Sequence, residues 1–357
     1  MSLMMDRGRT PTKWVEKKNG YAPPPNDNGG RGVTKIALIN NMPDAALEDT
    51  ELQFFELLES AAFETPVHIE LYSLPGLPRG DRSREHLDKF YSSTDELLDR
   101  QFDGAIITGT EPRQPDLRNE PYWSALTNIF DWAERSTAST VLSCLAAHAG
   151  VLHSDGITRH PLNDKQFGVF EYKRANDHEL ISGMGDLVRF PHSRWNEVRA
   201  DALTSCGYTV LTHSVDAGVD MFVKKKRTSL FVHFQGHPEY GARTLMKEYR
   251  RDVRRFLRRE RPTYPSMPRG YFDSAARKLL DDFREIALSD VREDLMQSFP
   301  EEALLDTLNS WKSSATGVYQ NWLQYIATKK DKRAVFAAVA RVGQTNLLNA
   351  PQLRKIG

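Results

Sequence analysis

Cys144 has the sequence neighbours expected of a reactive cysteine. Residues 140–142, Thr-Val-Leu, predict the end of a buried strand, and residues 145–152 predict a helix. Small residues around Cys144 suit a sharp strand-to-helix turn, which presents a nucleophile beside free backbone N–H groups. The dipole of the following helix favours the thiolate, the reactive form of cysteine. A buried core cysteine explains the same pattern, so the role of Cys144 depends on a partner base.

A partner is available in residues 231–240, Phe-Val-His-Phe-Gln-Gly-His-Pro-Glu-Tyr. This segment predicts a strand that delivers His237 and Glu239 onto a turn before a helix. A nucleophilic cysteine needs a base for its proton, and the base needs an acceptor that orients its ring. Cys144, His237 and Glu239 supply these roles if their two strands lie side by side. His233 falls in mid-strand, where we expect a satisfied core histidine. Without Cys144, the His-Pro-Glu segment would predict only an ordinary turn.

The elements around Cys144 predict an α/β fold. Strand, helix and strand patterns alternate along the first half of the chain, which implies a parallel sheet with helices on both faces. Ligands bind such sheets beyond the carboxyl ends of the strands, where Asn40, Thr108 and Cys144 fall. After about Gly168, shorter strands predict a largely antiparallel extension. The predicted parallel strands are 35–39, 67–72, 102–109 and 140–142, and the later ones are 169–173, 186–190, 208–213, 219–223 and 229–234.

We divide the chain into a flexible N-terminal tail (1–32), a catalytic domain (33–258) and a helical C-terminal extension (259–357). The tail is rich in Pro, Gly and Asn. The extension predicts about three helices, and pattern alone leaves open whether they dock on the catalytic domain. The predicted helix at 241–258 ends in a basic run, which we interpret as a solvated helix end that interacts with the helix dipole.

Composition excludes several classes of protein. Lys+Arg and Asp+Glu both number 48 in 357 residues, which gives no global field for nucleic acid or an anionic membrane. No apolar run is long enough to span a bilayer, and no signal peptide is recognisable. The chain has only two cysteines, Cys144 and Cys206. So few cysteines argue against a disulfide framework and fit the reducing cytoplasm. We expect no metal site, because no close Cys/His cluster occurs.

The chain resembles the homoserine O-succinyl/O-acetyltransferase family, a branch of the class I glutamine-amidotransferase-like superfamily. The resemblance runs from about residue 35 to residue 258, with a weaker echo in the extension at Trp311 and residues 321–323. The matching positions are Asn41-Met-Pro43, Thr108-Gly109, Tyr122-Trp123, Ser139-Thr140, Cys144, Lys165, Phe167-Gly-Val-Phe-Glu171, Pro191-His-Ser-Arg194, Gly236-His-Pro-Glu-Tyr240, Thr244-Leu245 and Tyr249-Arg-Arg-Asp252.

This resemblance implies a flavodoxin-like, doubly wound, mostly parallel sheet and a two-step acyl transfer. Cys144 would take a succinyl group from succinyl-CoA, and His237, oriented by Glu239, would activate the hydroxyl of L-homoserine for methionine biosynthesis. Acyl-CoA would be a co-substrate, with no bound cofactor. The backbone N–H of Leu145 would serve the oxyanion hole. A homodimer in the cytoplasm is implied, with no nucleic-acid or membrane partner.

By the same resemblance, Lys165, Ser193 and Arg251 match the positions that bind substrate, and Arg251 suits a carboxylate.

Three positions depart from the family pattern. Leu145 stands where tryptophan often follows the nucleophile, and Asp44 where a basic residue is common after Met-Pro. Arg113 matches the position at which glycine or glutamate separates succinyl from acetyl donors. An arginine there can pair with a succinyl carboxylate and offers an acetyl group nothing, so we predict succinyl. Acetyl-CoA remains an alternative donor. L-serine remains an alternative acceptor, since it is one methylene shorter than homoserine and such a difference is discriminated by only about 1–3 kcal/mol.

Three other kinds of function fit parts of the pattern. A glutaminase or another cysteine-dependent hydrolase could use the same fold, although Lys165, Ser193 and Arg251 argue against it. A catalytically silent binding or scaffold protein is the second alternative, which an intact Cys144 disfavours. The basic helix leaves a nucleic-acid role as a remote third alternative.

Overall fold

A computed structural model of the chain describes residues 3–6, 8–20, 32–63, 65–301 and 309–348, with side chains described as far as residue 331. The strands in these ranges are β1 (Leu3–Met4), β2 (Thr34–Ile39), β3 (Val67–Tyr72), β4 (Gly104–Ile107), β5 (Ser139–Ser143), β6 (His160–Arg174), β7 (Leu187–Glu197), β8 (Thr209–Val210), β9 (Thr212–Ser214), β10 (Gly218–Val219), β11 (Met221–Lys226) and β12 (Ser229–Phe234). The α-helices are α1 (Thr12–Lys17), α2 (Leu47–Ala61), α3 (Asp81–Phe90), α4 (Thr94–Leu98), α5 (Trp123–Ser136), α6 (Leu145–Asp155), α7 (Ala200–Ser205), α8 (Thr244–Leu257), α9 (Ser274–Ser289) and α10 (Lys312–Leu348).

The main sheet has eight strands in the spatial order β1-β3-β2-β4-β5-β12-β11-β8. The first six run parallel, and β11 and β8 complete one edge in the antiparallel sense. The central order β3-β2-β4-β5-β12 is the 2-1-3-4-5 order of flavodoxin-like folds, whose ligands bind where the strand order reverses. The predicted doubly wound α/β fold is confirmed.

One strand lies elsewhere than predicted. We grouped residues 229–234 with an antiparallel extension, but β12 pairs in parallel with β5, and Phe234 is the register partner of Ser143. Every residue of β12 is buried, as expected for a strand covered on both faces. Proximity in sequence to the hairpin partner β11 concealed this central position. The pairing brings the end of the cysteine strand beside the end of the histidine strand.

Helices cover both faces of the main sheet. The strand β2 packs against helices on both faces. Ile36 and Leu38 belong to an apolar cluster with α2 and α10, while Ala37 and Ile39 belong to a second cluster with α5 and α6. Successive side chains of a strand point to opposite faces, so a continuous apolar run is what a doubly covered strand requires.

A second, antiparallel sheet has the order β10-β9-β6-β7. Its long strands β6 and β7 form a ladder in which Phe167 is the register partner of Ser193, with an irregularity between Pro161 and Gln166. This ladder carries Lys165 and Ser193 towards the main sheet. The expected antiparallel extension is therefore present, as a separate sheet.

The prediction of a flexible tail was wrong for residues 3–6 and 8–20. Leu3 and Met4 pair in parallel with Val67 and His68 and extend the main sheet. Trp14 of α1 is buried and packs edge-on against Phe55, with ring centroids 5.5 Å apart. A few apolar side chains at the right positions suffice to anchor a segment whose average composition is polar. Residues 21–31, which hold the Pro, Gly and Asn cluster, lie outside the described residues.

The C-terminal helices dock on the rest of the molecule. α10 packs against α2, and the indole N–H of Trp322 donates to Ser139 Oγ at 2.9 Å. Gly104 in β4 makes room for this helix, since a Cβ there would lie 2.7 Å from the terminal carbon of Ile326. α9 shares an apolar cluster with α8. The apolar packing therefore continues across residue 258, where we placed the boundary of the C-terminal extension.

None of the described helices combines the length and apolarity needed to cross a membrane.

Candidate active site

Cys144 occupies the sharp turn between β5 and α6. Its backbone has φ 53° and ψ −114°, a left-handed conformation that a non-glycine residue rarely adopts. The N–H of Cys144 donates to the carbonyl of Phe234 at 2.8 Å, which ties the turn to the end of β12. Strain of this kind is held by surrounding structure and concentrates at functional sites. The predicted nucleophile elbow is present.

His237 and Glu239 meet Cys144 at the neighbouring strand end. Nδ1 of His237 donates to Oε1 of Glu239 at 2.8 Å, and the imidazole interacts electrostatically with the Cys144 side chain. Because Nδ1 is engaged by the carboxylate, Nε2 is the nitrogen left for the thiol. The histidine and glutamate are buried, and Cys144 is partly exposed. The three side chains that we predicted to act together are assembled.

The charges at this site favour a protonated imidazole. Burial lowers the pKa of His237, but the charges of Cys144 and Glu239 and their hydrogen bonds outweigh burial and raise this pKa well above its ordinary value. A protonated imidazole beside Cys144 would stabilise a thiolate as it forms, and the thiolate is the form in which a cysteine attacks a carbonyl.

Ser143 is a member of the site that sequence reasoning missed. Its hydroxyl donates to Oε1 of Glu239 at 3.1 Å, the same oxygen that accepts from His237. The other oxygen, Oε2, is buried and has no partner among the described residues. Glu239 is thus held by one oxygen between the serine and the histidine. The position of Ser143 directly before the nucleophile was the only signal in the sequence.

A buried polar layer supports the turn that carries His237. The N–H of His237 donates to the carbonyl of Pro191 at 2.8 Å, and that of Gly236 to Oδ1 of Asp220 at 2.7 Å. Burial raises the pKa of Asp220 to about 7. These bonds join β12 to the second sheet and fix the imidazole relative to β7.

The start of α6 supplies backbone donors beside Cys144. The first N–H groups of a helix, that of Leu145 included, have no intrahelical acceptor. The loop that leaves β4 passes very close to this point, because a Cβ on Gly109 would lie 2.9 Å from the nitrogen of Leu145. Only a glycine allows this approach without a shift of the backbone. The arrangement suits an oxyanion that develops near Cys144.

The three predicted substrate-binding residues converge on Glu248 of α8. The hydroxyl of Ser193 donates to its Oε2, and Nζ of Lys165 lies 3.5 Å from the same oxygen and 3.5 Å from Oδ2 of Asp252. The guanidinium of Arg251 lies 3.9 Å from Glu248 and 3.1 Å from Asp252. The Arg251 side chain is 55% exposed, so one cation of the cluster faces solvent.

Glu248 connects this cluster to the triad. Its Oε1 accepts from the hydroxyl of Tyr240 at 2.6 Å, and the Tyr240 ring stacks on that of His237 with centroids 4.2 Å apart. Sequence reasoning missed Glu248. The available signal was its spacing of three residues before Arg251, which places both on one face of a helix.

Arg113 lies on the loop between β4 and α5. Its N–H donates to Oε1 of Glu120, and its side chain is exposed, with no hydrogen bond or ion pair to the described residues. Asp44, the second departure from the family pattern, accepts from the N–H of Gly80 at 2.7 Å and pairs with Arg79 at 3.2 Å. Asp44 thus holds a neighbouring loop.

His233 stands apart from this chemistry. Its ring is buried and stacks on Phe222 with centroids 4.6 Å apart, and burial lowers its pKa to about 3. Its Nδ1 has no side-chain or backbone partner within the described part of the chain. His233 is a core histidine, as we predicted. Its Nδ1, however, lacks the hydrogen bond to the described residues that we expected.

The basic end of α8 is compensated by acidic side chains. Arg250 pairs with Glu301 at 2.9 Å, and Arg258 pairs with Glu293 at 2.5 Å. Arg255 lies 3.8 Å from Glu260. Much of the basic run therefore has local partners in addition to the helix dipole that we predicted.

Two further features lie outside the triad. Within the described ranges, no group of three or more His, Cys, Asp or Glu side chains is arranged to hold a metal ion. A cavity of about 520 Å³ opens between the second sheet and the segment after α8, where Val169, Arg189, Arg269 and Tyr271 contribute to its lining. None of the predicted site residues lines this cavity, so volume alone does not locate the chemistry.

Comparison with known proteins identifies the family. A model of the homoserine O-succinyltransferase family matches residues 29–333. The chain belongs to the homoserine O-succinyltransferase family. A homoserine O-succinyltransferase of Rhodopseudomonas palustris is 40% identical over 333 residues, which cover 92% of this chain and 100% of the relative. One of Methylorubrum extorquens is 42% identical over 296 residues, 83% of this chain and 88% of the relative. These relatives are named as acyltransferases, and homoserine O-succinyltransferases act in methionine biosynthesis.

A solved structure of a glutamine amidotransferase from Thermotoga maritima also resembles the chain. It is 12% identical with a TM-score of 0.43, and the match covers 84% of this chain and 99% of that structure.

Proposed function

We propose that this protein transfers a succinyl group from succinyl-CoA to the hydroxyl of L-homoserine through an acyl-enzyme on Cys144. Membership of the homoserine O-succinyltransferase family supports the overall reaction. The observation that carries the mechanism is the contact of the His237 imidazole with Glu239 on one side and Cys144 on the other.

In the first step, the Cys144 thiolate attacks the thioester carbonyl of the acyl-CoA. The N–H of Leu145 stabilises the oxyanion of the tetrahedral intermediate. The bond between the carbonyl carbon and the CoA sulfur then breaks, and CoA leaves as its thiol with the proton of the His237 imidazolium. The succinyl group is now held on Cys144 as a thioester.

In the second step, neutral His237 takes the proton of the homoserine hydroxyl as its oxygen attacks the acyl carbonyl. Collapse of the second intermediate releases the ester and returns the Cys144 thiolate beside a protonated imidazole. Glu239 keeps Nδ1 protonated, so that Nε2 faces the reacting atoms in both steps.

The polar cluster on α8 suits the acceptor amino acid. Arg251 and Lys165 supply positive charge for its carboxylate, and the Glu248 carboxylate suits its ammonium group. Ser193 holds Glu248 in place. Because Tyr240 connects Glu248 to His237, an amino acid bound here would hold its side-chain hydroxyl near the base.

The choice of succinyl over acetyl is part of the proposal. Arg113 lies on the loop that follows Gly109, and its exposed guanidinium has no partner among the described residues. A cation on this loop favours a donor whose acyl group ends in a carboxylate. An acetyl group presents no charge for such a contact. A cytoplasmic homodimer stays a prediction.

The test of this function is acylation in the absence of acceptor. Intact-protein mass spectrometry after mixing with succinyl-CoA should show one added succinyl group on the wild-type protein and none on Cys144→Ala. Adding L-homoserine should remove the group and release the ester. Cys206→Ala serves as the matched control and should acylate normally, because Cys206 follows α7 and packs on an apolar cluster that contains no triad residue.

Three outcomes would contradict parts of the proposal. An adduct that persists in Cys144→Ala would refute the nucleophile. Acylation by acetyl-CoA but not by succinyl-CoA would refute the succinyl donor. Discharge by L-serine in preference to L-homoserine would refute the acceptor.

A further inference from the structure

Two buried polar atoms in the segment that precedes α5 have no hydrogen-bond partner in the described part of the chain. The hydroxyl of Tyr122 and Oε2 of Glu120 are both buried and make no hydrogen bond to the described residues. Glu120 uses its other oxygen, Oε1, to accept from the N–H groups of Arg113 and Gln114, the latter at 2.7 Å. Glu120 therefore shapes the loop after β4, and an unpartnered hydroxyl lies beside it. A buried group without a partner costs free energy, which a ligand can recover.

Arg159 lies against the same loop from the segment that follows α6. Its Nη2 donates to the carbonyl oxygens of Gln114 and Pro115 at 3.4 and 3.2 Å. No carboxylate of the described residues lies within ion-pair distance of its guanidinium, and no partner is found for Nε and Nη1. The side chain is only partly exposed. Arg159 is thus a half-buried cation with donors to spare.

Arg159 lies close enough to the proposed reacting centre to interact electrostatically with Tyr122, Glu120 and Cys144. Burial lowers the pKa of Arg159. Other arginines with a shifted pKa in the described ranges have it raised, and each has a carboxylate partner. Arg159 differs from these arginines in having no carboxylate partner among the described residues.

We infer that Arg159, together with the Tyr122 hydroxyl, binds the terminal carboxylate of the acyl group carried by Cys144. This inference rests on the proposed function and names the residue that recognises the donor. A guanidinium held by two carbonyl groups is preorganised for a carboxylate, whereas the exposed Arg113 must first be ordered. The Glu120 charge is directed to the loop N–H groups, which leaves the open donors of Arg159 for the ligand.

The kinetic test compares both acyl donors in Arg159→Gln. Loss of a charge-assisted contact should lower kcat/KM for succinyl-CoA by roughly tenfold or more and change that for acetyl-CoA by less than about threefold. Arg159→Lys keeps the charge without the fork and should lose less. Arg118→Gln is the matched control on the same loop, because Arg118 already pairs with Asp116 at 2.7 Å. It should leave both donors unchanged.

Arg113→Gln allows the contributions of Arg113 and Arg159 to donor selectivity to be compared. The inference requires a larger donor-selective loss in Arg159→Gln than in Arg113→Gln. Equal losses with both donors in Arg159→Gln would mean that the arginine only orders the loop or binds CoA. No loss with either donor would mean that it contacts no substrate. Either result overturns the inference.

A second measurement avoids turnover altogether. Iodoacetate and iodoacetamide alkylate thiols and differ in one negative charge, so their rate ratio reports positive charge near the sulfur. Arg159→Gln should lower the iodoacetate-to-iodoacetamide ratio at Cys144 severalfold and leave that at Cys206 unchanged, as read by peptide mass spectrometry. An unchanged ratio at Cys144 overturns the inference. If the wild type forms no succinyl adduct but the ratio still falls, the proposed function fails while an anion subsite beside Cys144 stands.

Discussion

At the scale of single residues, the orientation of His237, the proposed base, rests on a small number of contacts. The imidazole of His237 contacts Cys144, Glu239 and Tyr240, and Oε1 of Glu239 accepts from both His237 and Ser143. Oε2 of Glu239 has no hydrogen bond to the described residues. The orientation of the base therefore depends on one carboxylate oxygen and on the serine that holds it.

Ser143→Ala should lower kcat by roughly tenfold, the scale of one hydrogen bond to a charged group, and leave KM for both substrates nearly unchanged. Without the serine hydroxyl, Glu239 supports the imidazolium less well. Because Glu239 raises the pKa of His237, the pH limb of kcat/KM that His237 controls should move to lower pH. Steady-state kinetics across pH measures both effects.

Ser143→Thr retains the hydroxyl and should restore most of the activity. Wild-type kcat and an unmoved pH limb in Ser143→Ala would refute this positioning role.

At the scale of elements, the active site lies where loops after parallel strands meet the start of α6. The loop after β4 approaches Leu145 so closely that Gly109 has no room for a side chain. The same loop carries Arg113 and is shaped by Glu120. The N–H of Leu145, the proposed oxyanion donor, therefore lies against the same loop that Arg159 contacts.

Gly109→Ala should displace the N–H of Leu145, because the new methyl group would lie 2.9 Å from that nitrogen. We expect kcat to fall by roughly 10²–10³-fold, the effect of removing one oxyanion donor. Alkylation of Cys144 by iodoacetamide should change little, since it forms no oxyanion.

Gly185→Ala is the control, because a Cβ at Gly185 meets only a carbonyl oxygen at 3.9 Å. Equal alkylation and equal turnover in Gly109→Ala and wild type would exclude the proposed role of the loop.

At the scale of the whole molecule, chain segments far apart in sequence complete the core beneath the site. Trp322 of α10 is buried against the main sheet and donates to Ser139 at the start of the strand that ends in Cys144. At the other terminus, β1 adds an edge strand and Trp14 packs on α2. Both ends of the chain therefore stabilise the domain that carries the triad.

Trp322→Ala should lower the free energy of unfolding by about 3–5 kcal/mol, as expected for deletion of a large buried side chain. Trp195→Ala is the matched control and should change it by less than about 0.5 kcal/mol, because Trp195 is 54% exposed. Urea unfolding followed by circular dichroism measures both. A loss in Trp322→Ala no larger than in the control would show that α10 does not anchor the sheet.

The sequence alone determined the local features of this protein. Alternating apolar strands and helices predicted the doubly wound sheet, and small residues around Cys144 predicted its turn, because periodicity and backbone sterics act over a few residues. The same reasoning paired Cys144 with His237 and Glu239, since nucleophile, base and acceptor are recognisable by type. The roles of Lys165, Ser193 and Arg251 came from resemblance to the family.

Only the tertiary structure decided which distant segments meet. β12 proved to be a central parallel strand, and residues 3–6 and 8–20 proved to be packed, because sheet order and docking depend on pairings across the whole chain. Glu248 and Arg159 carry no motif of their own. Their proposed roles follow from the residues that the fold places beside them. Glu248 contacts Tyr240, which stacks on His237, and Arg159 interacts with Tyr122 and Cys144. Convergence of this kind leaves no periodic trace in the sequence.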